Sequence, residues 1–182
     1  MIGCFSLARD TFDIKFSNKK LLKTKSIIKK LNSKFVFFND LITNDHVGND
    51  AFKFFEKNKC TKFIVLQSTF TDAKFISSFV KKFKRPLVFI SFKEKRTGAR
   101  LRLNSLCGVN LALHSLIKNK FYSSFVIYSN NEENFSKELS RFIKISHTLP
   151  KKNYLIKTSV SKKTNKKIIS FKKPHLGIIG ER

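Results

Sequence analysis

Three arginines crowd into the run RTGARLRLNSLCGVNLALHSL, Arg96 to Leu116, in a chain whose basic residues are otherwise nearly all lysine. Of 38 Lys and Arg only seven are Arg, and Arg96, Arg100 and Arg102 are three of them. A planar guanidinium offers a rigid fork of donors that an ammonium does not copy, so arginine kept against that background points to fixed geometry. Asn104 and Ser105 stand where a helix is expected to start, and the free amides of a helix start favour negative charge. The chemistry suggested is an anion cradle. The run is neither a Walker loop nor GxGxxG, so no nucleotide fingerprint supports it. Cys107 at the helix start is a candidate nucleophile, but His114 lies two helical turns on, and packing is the preferred role.

Two shorter segments offer polar chemistry of another kind. In ARDTFD, Arg9 follows an apolar run and can project toward a hydroxylated or anionic ligand, with the Thr11 hydroxyl assisting and Phe12 packing beneath. The plainer reading pairs Arg9 with Asp10 or Asp13 on the surface, where ion pairs are worth little, and makes Thr11 a helix cap. In LQSTFTDA, Gln67, Ser68 and Thr69 end a strand and could grip sugar hydroxyls by directional bonds; the alternative is a polar strand terminus followed by an Asp72 cap. The four histidines, His46, His114, His147 and His175, show no metal-ligand spacing.

These residues need a scaffold, and the pattern predicts one. Apolar runs IGCFSLA, FVFFN, KFIVLQS, PLVFISF and SSFVIYS alternate with segments of helical period that begin near Ile14, Val47, Asp72, Leu106 and Glu132. Such alternation predicts β-α units around a parallel sheet, and the near-continuous apolar strands are what burial on both faces requires. In the first helix Leu21, Leu22, Ile28 and Leu31 are assigned to the inner face. Thr71-Asp72 and Asn104-Ser105 are expected to cap the third and fourth helices. Ligands of open parallel sheets bind at the carboxyl ends of the strands, where ARDTF, NDLITND, QSTFTDA and KEKRTGAR should converge.

The first 149 residues read as one α/β domain. Residues 150–173 read as a Lys-rich connector without a single acid, and 174–182, PHLGIIGER, as the first strand of a second α/β domain that the chain cuts short. The start lacks the basic and hydrophobic regions of an export signal, and there is no apolar run of about 20 residues; a soluble, cytoplasmic protein is expected. Cys4, Cys60 and Cys107 are scattered, with no CxxC, and are expected as buried or half-buried thiols. The net charge of +26 attracts phosphate at long range, but it reads as single lysines spread over every helix and loop, so specific nucleic-acid binding is not expected.

The segments SLARDTFD, LQSTFTDA and RTGARLRLNSLCGVNLALHSL, in this order and separation, resemble the N-terminal domain of the L-fucose isomerase and L-arabinose isomerase superfamily, particularly its fucose-isomerase-like branch. The likeness covers about residues 1 to 148, and HLGIIGER resembles the opening strand of the family's second domain. The resemblance implies a flavodoxin-like (Rossmann-like), doubly wound parallel five-stranded sheet. It also implies an aldose-ketose isomerase using a divalent metal, usually manganese, whose ligands come from later domains, and a homo-oligomer, often a hexamer. The first domain would then lend substrate contacts to a neighbouring subunit's site. By similarity Arg9 matches the position that reaches the sugar, and Gln67, Thr69, Arg96 and Asn104 would line the same edge. Two alternatives remain open: a non-catalytic sugar-binding α/β module and a basic nucleic-acid-binding domain.

Overall fold

A computed structural model describes residues 1–31, 33–94, 98, 100–121, 124–127 and 132–144, with backbone alone at 125 and 132–134. The Lys-rich connector, the strand expected at 174–182 and Arg96 lie outside the described residues. Five strands, β1 (Ile2–Leu7), β2 (Phe35–Ile42), β3 (Lys62–Gln67), β4 (Leu87–Ser91) and β5 (Ser124–Ile127), alternate with α1 (Ile14–Lys29), α2 (Asp45–Lys57), α3 (Lys74–Phe83), α4 (Ser105–Lys118) and α5 (Glu132–Lys144). All strand pairs are parallel, in the order β2-β1-β3-β4-β5. This is the α/β arrangement of flavodoxin-like, doubly wound sheets. No helix among the described residues is long and apolar enough to cross a membrane.

Side chains alternate across a strand, and here the alternation sorts two different cores. On one face Phe5, Phe63 and Phe89 meet Phe55 and Phe79 of α2 and α3 and Leu116 of α4; on the other Cys4, Ile64, Val88 and Ile90 meet Leu21 and Ile28 of α1 and Leu139 of α5. The first core is aromatic, with Phe63 and Phe79 edge to face at 4.7 Å and 82°, and Phe55 and Phe63 at 5.3 Å and 79°. Each such pair adds about 0.5–1.5 kcal/mol beyond its area burial. Gly3 makes room for it: a Cβ there would come within 2.8 Å of the Phe55 and Phe63 rings.

Several local expectations are corrected. Leu22 is 71% exposed; it is turned about 100° from Leu21 on the helix, whereas Ile28, two turns on, shares Leu21's face. Strand β2 continues through Asn39 and Asp40 to Ile42, because an edge strand tolerates exposed polar residues and its register with β1 shifts between Cys4 and Ser6. Helix α1 is capped by Asp13, whose Oδ1 accepts from the Phe16 amide at 2.8 Å, and not by Thr11. Helix α2 starts at Asp45 behind an Asn44 cap. Helix α3 starts at Lys74: Asp72 Oδ1 accepts the Lys74 amide at 3.0 Å, one residue ahead of the cap position. Asn104 holds the cap position of α4 in a left-handed conformation (φ 51°, ψ 34°) and makes no side-chain cap bond, and Ser105 faces inward. Cys107 is exposed, on the outer face of α4, while Cys4 and Cys60 are buried.

Candidate functional site at the carboxyl edge of the sheet

Strand order reverses between β1 and β3, so the loops that leave them diverge and open a crevice. Backbone bonds set its depth: Leu7 O accepts the Ser68 amide at 2.9 Å, and the Ala8 amide donates to Ile42 O at 3.1 Å. A cleft of about 310 Å³ lies there, floored by Leu7, Ile42 and Phe75 and walled by Arg9, by Asn44 and Asp45 after β2, and by Thr71, Asp72 and Lys74 after β3.

Arg9 is positioned at both ends. Its amide donates to Thr69 Oγ1 at 2.8 Å, its Nη2 to Asp72 Oδ2 at 3.0 Å, and its guanidinium carbon stands 5.7 Å from the Phe70 ring centre. Its side chain is 44% exposed, and a guanidinium has five N–H donors, so donors remain for a ligand's oxygens. Across the cleft Lys74 Nζ donates to Asp45 Oδ2 at 2.5 Å. The hydrogen bond and charge of Asp45, and more weakly Asp72, hold the Lys74 pKa above its ordinary value. Two cations and two carboxylates thus line a charge-balanced, polar cleft suited to hydroxyl groups.

Among the other residues singled out from the sequence, Thr69 is fully buried beneath Arg9, and its hydroxyl also donates to Phe70 O at 3.2 Å. Gln67 is fully buried too. Its Nε2 donates to Thr69 O at 2.7 Å and Thr71 Oγ1 at 2.9 Å, while its Oε1 has no partner among the described residues. Gln67 therefore shapes the β3–α3 loop from below. Ser105 locks the neighbouring element to it, donating to Gln67 O at 2.5 Å and accepting the Phe92 amide at 2.9 Å. Thr11 is exposed and Phe12 is half-buried, its ring 6.1 Å from Phe70 and 5.7 Å from the Arg100 guanidinium carbon. Neither they nor Asn104 line the cleft.

The arginine-rich run forms a wall beside the cleft. Arg102 places Nε and Nη2 on Asp13 Oδ2 at 2.9 and 2.6 Å, stacks 3.9 Å from the Phe16 ring centre, and accepts the Asp13 amide at its carbonyl. The Leu103 and Asn104 amides, just ahead of the Ser105–Gly108 helix start expected to hold an anion, donate to Glu94 Oε2 at 2.8 and 3.0 Å. The chain's own carboxylate thus lies beside the expected cradle. Glu94 and the Asp45–Lys74 pair were not singled out beforehand; only the polar loop NDLITND signalled the latter. Among the described residues no cluster of three or more His, Cys, Asp or Glu is placed to hold a metal ion.

Comparison with known proteins identifies the family of the chain. Sulfoquinovose isomerases of Priestia aryabhattai and Priestia megaterium are each 27% identical over 149 residues, covering 82% of this chain and 33% of theirs. A sulfoquinovose isomerase of Alkalicoccus urumqiensis is 34% identical over 87 residues, covering 47% of this chain and 20% of its own. The chain spans about a third of the length of the Priestia relatives. Among solved structures, a transcriptional activator of the comK gene from Bacillus halodurans aligns at 13% identity and a TM-score of 0.35, over 78% of this chain and 60% of that one, a likeness too slight to bear on function. The family described as fucose/sulfoquinovose isomerase, N-terminal domain, matches residues 3–151, which hold every strand and helix described above except Ile2 at the start of β1, and the chain belongs to that family.

Proposed function

We propose that this chain acts as the N-terminal, substrate-contacting and assembly domain of a metal-dependent aldose-ketose isomerase, with the cleft at Arg9 forming one wall of a site completed by other domains or a neighbouring subunit. The observation that carries the reading is Arg9 itself. It is fixed at the switch point by Thr69 and Asp72 and lines the cleft, within the region that matches the family. A cation held in one direction orients an open-chain sugar through its oxygens and reduces the orientational entropy of the reacting complex. Asp45 and Asp72 can accept from sugar hydroxyls, and Asn44 adds an exposed polar side chain at the rim. Gln67 and Thr69 support the loop rather than touch the ligand.

The divalent ion, manganese by the family resemblance, does not fit the described residues, which offer no ligand cluster. It would be held elsewhere in the assembled enzyme, and the chemical step belongs with it.

Kinetics of an enzyme that contains this domain, with an aldose substrate and manganese, test the proposal. Arg9→Ala should raise KM or lower kcat by about tenfold or more, the scale of one lost charge-assisted hydrogen bond; unchanged kinetics would remove Arg9 from the site. The 182-residue chain alone should show no turnover with manganese. Measurable isomerisation by it would overturn the division of labour.

A further inference from the structure

Among the described residues the lysine surplus, which reads as evenly spread along the sequence, is concentrated at one edge of the sheet, with a further row along α1. Every helix of a parallel sheet ends at the amino edge, opposite the ligand cleft. The described segments that lie there, 27–31, 33–34, 55–61, 81–86, 117–121 and 142–144, carry twelve Lys or Arg and one acid, Glu56. Glu56 is itself paired with Lys82 at 2.8 Å. At the carboxyl edge, by contrast, Arg9, Lys74 and Arg102 each rest on a carboxylate. Helix C-termini attract cations, but each presents only about half a negative charge, roughly 2.5 over five helices. The macrodipoles do not account for the surplus.

Three of these lysines sit where the backbone disfavours them. Lys59, Lys84 and Lys120 have φ of 47°, 48° and 56°, the left-handed region in which a Cβ crowds the backbone and glycine is the usual occupant after a helix. They precede β3, β4 and β5, which are adjacent in the sheet, so they stand in a row. All three are exposed and none forms an ion pair among the described residues. Strands lie about 4.8 Å apart, which makes the edge about 19 Å wide across five strands. A nucleic-acid duplex presents a charge every ~1.7 Å, or about 11 over that width, roughly half of them on the near strand.

We propose that this amino edge docks the phosphate backbone of a double-stranded nucleic acid without reading its sequence. A membrane surface is the less suitable partner: the chain has no Trp, and among the described residues no Phe is exposed, so the described part of this edge shows none of the exposed aromatic side chains that settle at a lipid interface.

The test is titration of the full chain with a 20-base-pair DNA duplex of arbitrary sequence at several salt concentrations. About five phosphate contacts give a slope of log K against log salt near −4 to −5. The triple variant Lys59→Gly, Lys84→Gly, Lys120→Gly should keep or raise Tm, since glycine suits those backbone angles, while losing about tenfold or more in affinity at ~0.1 M salt and about 2 to 3 from the slope. A control with the same charge change on the outer face of α1, Lys15→Gln, Lys19→Gln, Lys23→Gln, should lose about twofold or less. Equal losses in the two variants would show attraction by net charge alone and overturn the proposal. So would the absence of binding at ~50 mM salt, or tighter binding to phosphatidylserine vesicles than to the duplex at matched salt.

Discussion

The Arg9 amide donates to the Thr69 hydroxyl at 2.8 Å across the point where strand order reverses. That hydroxyl also donates to the Phe70 carbonyl, so one fully buried side chain joins the loop that presents Arg9 to the loop that presents Asp72. The guanidinium is then held at its tip by Asp72 and flanked by Phe70. A long, exposed side chain acquires direction because the backbone beneath it is fixed on both sides.

Removing the hydroxyl should therefore cost stability as well as alignment. Thr69→Val keeps the volume but leaves the Arg9 amide without its acceptor, an expected loss of about 1–3 kcal/mol, read by urea unfolding. Thr69→Ser keeps the acceptor and should lie within about 1 kcal/mol of the parent, the cost of one buried methyl. Equal losses in the two variants would mean that packing, not the hydrogen bond, holds the loop.

Strand positions were legible because burial on both faces leaves a nearly unbroken apolar run, and helix starts were legible to within two residues. The end of β2 was not, since Asn39 and Asp40 on an edge strand look like a loop. The site was legible in its loops and in Arg9, but not in its partners. Arg9 meets Asp72, Lys74 meets Asp45 and Arg102 meets Asp13 at sequence separations of 63, 29 and 89, and only the strand order brings such residues together. Gln67 reads as a strand-end amide able to grip sugar hydroxyls; its burial follows from how closely α4 crosses it at Gly108.

That crossing sets the sign of a second substitution. Gly→Ala inside a helix ordinarily stabilises by about 0.5–1 kcal/mol. A Cβ at Gly108, however, would lie 2.8 Å from Gln67 Nε2, 3.1 Å from its Cδ and 3.2 Å from the Phe70 backbone. Gln67 cannot swing away without giving up Thr69 and Thr71. Gly108→Ala should instead destabilise by about 1–3 kcal/mol, the cost of overpacking. A rise in Tm would show that the β3–α3 loop yields freely and does not fix Arg9.

The three cysteines should separate cleanly in a thiol-labelling experiment. Burial pushes the Cys4 thiol up to about 12 and the Cys60 thiol up to about 11, so neither supplies thiolate at neutral pH. Cys107 is exposed on α4. An aromatic disulfide reagent at pH 8 should modify one thiol quickly, and Cys107→Ser should abolish that fast phase; the other two should react only after unfolding. Two fast equivalents in the native chain would show that Cys4 or Cys60 is reachable.

Acid should act on the Asp13–Arg102 contact that joins the α1 start to the wall beside the cleft. The Phe16 amide, and then the hydrogen bond and charge of Arg102, hold the Asp13 carboxyl below its ordinary value of 3.8. A carboxyl depressed in the folded state favours folding above its unfolded value, and that contribution disappears as pH falls through the lower folded value. Stability should thus decline below about pH 4. Asp13→Asn, which can still accept from Phe16, should flatten that decline while lowering stability near neutrality, because Arg102 loses its partner. Arg102→Met should move the Asp13 titration, followed by NMR of the side-chain carboxyl, back toward the ordinary value without fully reaching it, since the hydrogen bond from the Phe16 amide remains. An Asp13 titration unmoved by Arg102→Met would show that the pair does not couple in solution, and the tie between the two loops would then rest on the Asp13 amide and the Arg102 carbonyl alone.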